Sequence, residues 1–140
     1  MNKFKGLILA VLAIFAVATP KVALAQGGND YRVEARMGGN DQAKAKVVYR
    51  ERMVGNLLIQ KFSVEVERFT PGVAVAITIN GSTFGNIVPN ALGRAELEFR
   101  TFVVDDNPHD EEPPLPTDFP RLSAGMTATV GTLSATFRLR

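Results

Sequence analysis

Apolar and polar residues alternate one by one over most of the chain after residue 30, and this period constrains the fold more than any other feature. In the stretch YRVEARM, the residues Tyr31, Val33, Ala35 and Met37 share one face of an extended strand, and charged residues occupy the other. The same alternation recurs in three further stretches: QAKAKVVYRERM, NLLIQKFSVEVERF and RAELEFRTFVV. These segments predict half-buried β-strands, and none of the segments after the N-terminal apolar run predicts an amphipathic helix.

Tight turns separate the predicted strands. The dipeptide Asn80-Gly81 lies between VAVAITI and STFGNIV, and Asn-Gly between two apolar runs is a strong hairpin signal because both turn positions favour positive φ. The stretch from Val73 to Ile79 is apolar on both sides, which predicts a central strand covered on both faces. About eight consecutive short strands predict an all-β fold, an antiparallel β-sandwich, with a small closed β-barrel as the alternative.

The first residues, MNKFKGLILAVLAIFAVATPKVALAQ, have the composition of a secretory signal peptide. Lys3 and Lys5 give a positively charged start, and a continuous apolar run follows from Leu7 to Ala18. The A-x-A pattern that ends at Ala25 predicts cleavage between Ala25 and Gln26. We therefore expect an exported protein, secreted or periplasmic, with no membrane span after cleavage.

The predicted cleavage changes the organisation and the charge of the chain. We expect a signal peptide over 1–25, a flexible linker over 26–30 and a single domain over 31–140. The full sequence has 16 lysines and arginines against 14 acids, a formal charge of +2. Without the three lysines of residues 1–25 the charge becomes −1. A chain of that charge lacks a basic excess, so we expect no nucleic-acid partner.

The sequence contains no cysteine. This excludes disulfide bonds, thiol nucleophiles and thiolate metal ligands. A domain without disulfides depends on its apolar core for stability. Together with the style of the signal peptide, the absence of cysteine fits the periplasm or the exterior of a bacterium.

The stretch VDDNPHDEEPPLPTDFPRL holds an acidic, proline-rich loop over 105–120, where six acids occur without a lysine or arginine. Carboxylates are the ligands that Ca²⁺ prefers, so Asp105, Asp106 and Asp110 are the candidate metal ligands. However, the spacing is not that of an EF-hand, and the prolines favour extended chain. His109 lacks a serine in a nucleophile elbow as partner. We therefore expect a solvated connection with few buried contacts and no cofactor, with Ca²⁺ binding as the alternative.

Basic residues crowd the polar faces of the first two predicted strands. They are Arg32, Arg36, Lys44, Lys46, Arg50 and Arg52. Charged side chains on a strand commonly keep a sheet soluble and protect its edge. We therefore expect this face to be a solvated surface, on which the acidic loop could lie.

Three stretches together resemble a module of exported bacterial proteins of uncharacterised function. They are FSVEVERFTPGVAVAITINGSTFGNIV, NALGRAELEFRT and FPRLSAGMTATVGTLSATF. In that module an Asn-Gly hairpin precedes a strand of the GxAELEF type and a closing hairpin. Met126 and Ala135 stand where an acid and a glycine are expected. The resemblance implies a β-rich module and carries over no activity or site residue.

These features favour a non-enzymatic β-sandwich module that acts by interaction, with an unidentified protein or an envelope component as partner. The alternative is a Ca²⁺- or carbohydrate-binding domain. Carbohydrate sites use exposed aromatic rings, for which Tyr31 and Tyr49 are the candidates. The expected absence of catalytic residues rests on the missing nucleophile motifs.

Overall fold

The structure is a computed structural model, and it describes residues 30–39, 42–101 and 113–140. These residues form nine β-strands and no helix. The strands are β1 Asp30–Gly38, β2 Lys44–Val54, β3 Leu57–Glu67, β4 Val75–Ile79, β5 Ser82–Ile87, β6 Ala95–Arg100, β7 Thr127–Val130, β8 Leu133–Thr136 and β9 Arg138–Leu139. β1 begins at Asp30, and the predicted signal peptide over 1–25 and residues 26–29 of the predicted linker lie outside the described ranges.

The strands form two separate antiparallel sheets, which confirms the predicted β-sandwich over the alternative of a small closed barrel. One sheet has the strand order β6-β3-β2-β1-β9, and the other has the order β5-β4-β7-β8. The last predicted strand is divided at Phe137, where the chain passes from one sheet to the other. The ring of Phe137 is buried in the core at that crossing.

The inward faces of both sheets supply the core, as the alternation predicts. Val33, Ala35 and Met37 of β1 are buried, and the same period buries the inward residues of the neighbouring strands. The buried apolar cluster joins both sheets. Its largest fully buried side chains are those of Tyr49, Phe62, Phe137, Ile77 and Leu122.

The stretch from Val73 to Ile79 departs from its prediction. The strand begins at Val75, and Val73 is 53% exposed. The strand does lie inside its sheet, between β5 and β7, but Ala76 is exposed on the outer face. The prediction of a strand covered on both faces was therefore wrong. An alanine side chain is small enough to lie on a solvated face at little cost, and so it misleads a prediction from hydrophobicity.

The acidic loop over 105–120 is described only from residue 113 onward, and that part is not a solvated connection. Leu115 is buried, and its amide donates a hydrogen bond of 2.7 Å to the carbonyl of Arg100. The ring of Phe119 packs 5.1 Å from that of Phe62. The expectation that this whole segment makes few buried contacts was wrong, because two apolar side chains anchor its second half in the core.

The Asn80-Gly81 hairpin is confirmed, and it supports a first prediction. Asn80 and Gly81 have φ values of 48° and 81°, the signs of a type I′ turn. Gly81→Val places a β-branched residue in the left-handed region, so we expect the free energy of unfolding to fall by about 1–3 kcal/mol in urea denaturation. Gly81→Asn is the control, because asparagine tolerates positive φ, and it should lose much less. Equal stability of the two variants would contradict the assigned turn.

Candidate functional site

The residues that the sequence proposed as sites lie mostly outside the described ranges. The cleavage pair Ala25 and Gln26 precedes residue 30, and the candidate metal ligands Asp105, Asp106 and Asp110 fall between residues 101 and 113. Within the described ranges, no group of three histidine, aspartate or glutamate side chains could hold a metal ion. Calcium binding therefore stays a prediction.

One end of the sandwich core contains a buried polar cluster. The Tyr49 hydroxyl donates a hydrogen bond of 2.7 Å to Glu51 Oε1, and the Gln60 side-chain amide donates to that hydroxyl at 2.7 Å. Arg121 Nε donates to the same Glu51 oxygen at 2.6 Å. Burial, with the Glu51 hydrogen bond, raises the pKa of Tyr49 well above its usual range, so this phenol stays protonated. The cluster fastens the segment after Pro120 to the five-stranded sheet.

Both aromatic candidates for carbohydrate binding lie at this cluster. Tyr49 is fully buried, so its prediction as an exposed platform was wrong. The guanidinium carbon of Arg121 lies 4.4 Å from the centroid of the Tyr31 ring, a cation–π contact that covers one face. Tyr31 is partly buried and also lines an open cleft on the outer side of the sheet.

The outer face of the five-stranded sheet is the face turned away from the four-stranded sheet, and it carries most of the charge. At one end, two residue pairs of opposite sign lie directly across β2 and β3. Lys44 lies opposite Glu67 with 2.9 Å between Nζ and Oε2, and Lys46 pairs in the same way with Glu65. The hydrogen bond from Lys44 lowers the pKa of Glu67. The cations and acids of this end balance in sum, although Arg36 lies opposite Lys46 and Glu65 lies opposite Glu96.

In the middle of β1, Glu34 is buried between two arginines of the same strand. Arg32 Nη2 donates to Glu34 Oε2 at 2.8 Å, and Arg36 Nε donates to Oε1. Burial alone would raise the pKa of Glu34, but the hydrogen bonds from Arg36 and Arg32 outweigh it, so the pKa lies below its ordinary value. The carboxylate stays ionised and balances part of the arginine charge.

Beyond these pairs, a line of cations alone crosses the outer face. Arg32 of β1 lies directly opposite Arg50 of β2. Arg50 lies opposite Lys61 of β3, which in turn lies opposite Arg100 of β6. We refer to Arg32, Arg50, Lys61 and Arg100 as the cationic row. Four strands thus bring like charges into one line across the sheet, at a spacing of about 4.8 Å between strands.

The cationic row borders an open cleft of about 400 Å³. Its lining includes five cations and one acid, namely Arg32, Arg50, Arg52, Lys61, Arg140 and Asp30. Lys61 is paired with Glu98. In the part of the chain that the structure describes, Arg50 and Arg52 make no ion pair, and both side chains are exposed. The cleft is therefore a strongly cationic surface in contact with solvent.

The sequence pattern found part of this surface. Arg32, Arg50 and Arg52 were recognised as basic residues on polar strand faces, but Lys61 and Arg100 were not connected with them. The alternation of apolar and polar residues assigns each residue to a face of its strand, but it does not determine which residues of two strands lie opposite one another. The alignment of Arg50 with Lys61 follows from the β2–β3 turn at Gly55 and Asn56, which sets the pairing Val54 with Leu57.

Comparison with known proteins adds no family to these observations. No family model, curated protein or solved structure matches the chain. The resemblance to exported bacterial modules therefore stays a prediction. Among the residues with a described position, none belongs to a helix long and apolar enough to cross a membrane.

Proposed function

We propose that this chain is an exported, non-enzymatic binding module that holds an anionic envelope or extracellular component on its outer sheet face. The observation that carries this proposal is the cationic row. Directly opposed like charges destabilise a pair of strands, whereas opposed unlike charges stabilise it by roughly 0.2–1 kcal/mol. An arrangement that costs folding energy favours a role in binding.

The same two strands support this interpretation by contrast. At Lys44 and Lys46, β2 places each cation opposite a glutamate of β3. At Arg50, four residues further along β2, the residue opposite is Lys61. Since both arrangements occur in one hairpin, the need for solubility alone does not account for the second. An anionic ligand over the row would balance the charge of Arg50, which makes no ion pair within the described ranges, next to the paired Arg32 and Lys61.

The side chains in the row suit a carboxylate, sulfate or phosphate ligand. Arginine presents a planar fork of donors that binds such groups in a bidentate manner, and the row and its cleft are mostly arginine. Arg50 and Arg52 are exposed, so they can reach a ligand without rearrangement of the core. Attraction of this kind weakens with added salt, because the Debye length is about 8 Å at physiological ionic strength.

The proposal predicts that Arg50→Gln/Arg52→Gln weakens binding to dextran sulfate, a soluble polyanion. Each basic side chain near an anionic surface contributes about 1 kcal/mol, so loss of two should weaken binding by about tenfold or more. Calorimetry at low salt measures the affinity. When the salt concentration is raised, the affinity of the variant should fall less steeply than that of the unchanged protein.

The matched control is Lys44→Gln/Lys46→Gln, which removes the same charge from the neutralised end of the same hairpin. We expect this control to bind dextran sulfate nearly as the unchanged protein does. Equal losses in the two double variants would show a general effect of net charge and would contradict a site at the row. Absence of binding by the unchanged protein at low salt would overturn the proposal.

A further inference from the structure

The end of the β2–β3 hairpin is apolar on both of its faces. We refer to Met53–Ile59 as the hairpin tip. Val54 lies opposite Leu57 on one face, and Met53 lies opposite Leu58 on the other. Val54 is 51% exposed and Leu57 is 50% exposed. Large apolar side chains on both faces of a hairpin end are unusual for a strand pair surrounded by water.

The hairpin tip has no described neighbour on either side. The described pairing of β2 with β1 stops at Arg52, opposite Asp30, the first described residue, and that of β3 with β6 stops at Lys61, opposite Arg100. Within the described ranges, residues 53–58 therefore pair only with one another. None of them belongs to the buried core cluster or to the side chains packed against it. About half of the surface of Val54 and of Leu57 is therefore left in contact with solvent.

Cations stand directly behind the hairpin tip. Arg52 precedes Val54 by two residues on the same face of β2, and Arg50 precedes it by four. At about 3.3 Å per residue, these side chains start roughly 7 and 13 Å behind Val54. On β3, Lys61 lies opposite Arg50 and therefore at the same distance behind the end of the hairpin. The hairpin therefore has an apolar end and, behind it on one face, a group of three cations, Arg50, Arg52 and Lys61, which we call the cationic collar.

We propose that the hairpin tip docks on an anionic lipid surface, with its apolar end among the acyl chains and Arg50, Arg52 and Lys61 among the headgroups. This inference rests on the proposed function, since it assigns the anionic partner of the row to a bilayer. Amphipathic elements at such a surface bury apolar side chains roughly 5–10 Å deep, a range that includes the roughly 7 Å between Val54 and Arg52, while Arg50 and Lys61 of the cationic collar start further out. Basic residues at the headgroup level add electrostatic attraction.

The shape of the hairpin tip favours lipid over the other occupants. A soluble polyanion would use the cations and leave Val54 and Leu57 in water. A protein partner would need a socket that encloses both faces of the ribbon. Lipid surrounds an inserted tip on all sides, and the polar backbone of the turn at Gly55 limits the insertion to the interfacial depth, where water is present.

The test compares vesicles of phosphatidylglycerol and phosphatidylcholine with vesicles of phosphatidylcholine alone, by co-sedimentation. Val54→Ser/Leu57→Ser is expected to reduce binding to the anionic vesicles by about tenfold or more while leaving dextran sulfate binding unchanged. Val73→Ser/Val88→Ser replaces two valines of similar exposure elsewhere and should leave both unchanged. Mass spectrometry establishes whether the apolar residues 1–25 are still attached, since these would bind lipid themselves; only protein without them is used.

The outcomes separate this inference from the proposed function. Dextran sulfate binding without binding to anionic vesicles overturns the lipid inference and leaves the proposed function standing. Vesicle binding that survives Val54→Ser/Leu57→Ser at full strength also overturns the inference, because the cations alone would then explain it. Loss of self-association in that variant, without vesicle binding by the unchanged protein, would overturn it in favour of a second copy of the chain.

Discussion

Replacing Arg121 by methionine should lower the free energy of unfolding by about 3–5 kcal/mol. Arg121 Nε lies 2.6 Å from Glu51 Oε1, and only 3% of the Glu51 side chain is exposed. Methionine fills part of the space but leaves the carboxylate buried with the Tyr49 hydroxyl as its remaining donor in the described structure. An uncompensated buried charge is far more costly than a lost surface pair. Urea denaturation measures the loss.

Two further variants separate the buried charge from simple loss of contact. In Arg121→Met/Glu51→Gln the buried charge is absent, so the double variant should be more stable than Arg121→Met alone. Lys44→Met breaks the exposed pair with Glu67, which should cost about 1 kcal/mol or less. If Arg121→Met and Lys44→Met lost the same stability, the Glu51 pair would not act as a buried ion pair.

The period of two predicted the faces of the strands well, because successive side chains must alternate across a sheet. It did not identify the partner of the buried acid Glu51. Glu51 continues the inward series of Ala45, Val47 and Tyr49, so the pattern itself places a carboxylate in the core. Its partner, Arg121, stands 70 residues later, and no local pattern connects them. Only the fold brings the two charges together.

The described half of the acidic loop shows a related limit. Charge and proline dominate its composition, and both favour solvated chain. Leu115 and Phe119 are the exceptions, and they decide the outcome because each buries apolar surface in the core. Two apolar residues between prolines, in an otherwise polar segment, were a signal that the composition concealed.

The candidate site follows from register more than from composition. The formal charge of the full chain is only +2, so no overall basic excess points to an anion site. Arg50 on β2 and Lys61 on β3 become neighbours because the hairpin turn fixes the pairing of every residue behind it. If the register between β2 and β3 shifted by one residue, Lys61 would no longer lie opposite Arg50, and a residue that now points into the core would take its place. The hairpin turn is therefore the element on which both the row and the tip depend.

The second large effect is expected at Phe62, whose side chain is fully buried. Its ring centroid lies 4.8 Å from that of Phe84 in the other sheet and 5.1 Å from that of Phe119. Phe62→Ala should lower the free energy of unfolding by about 3–5 kcal/mol, because a buried phenylalanine leaves a cavity that its neighbours fill only partly. Urea denaturation measures the loss, and the dependence of the unfolding free energy on urea concentration should be the same for the variant and the unchanged protein.

Phe62→Leu is the matched control, since leucine keeps much of the buried volume and should lose much less than alanine. A double-mutant cycle with Phe119→Ala then tests the anchoring of the segment after residue 113. Side chains in contact typically show a coupling of roughly 0.5–3 kcal/mol, whereas distant ones add independently. Additive losses at Phe62 and Phe119 would mean that the segment is not docked on the core. Coupling within that range would establish that the second half of the acidic loop is an integral part of the sandwich.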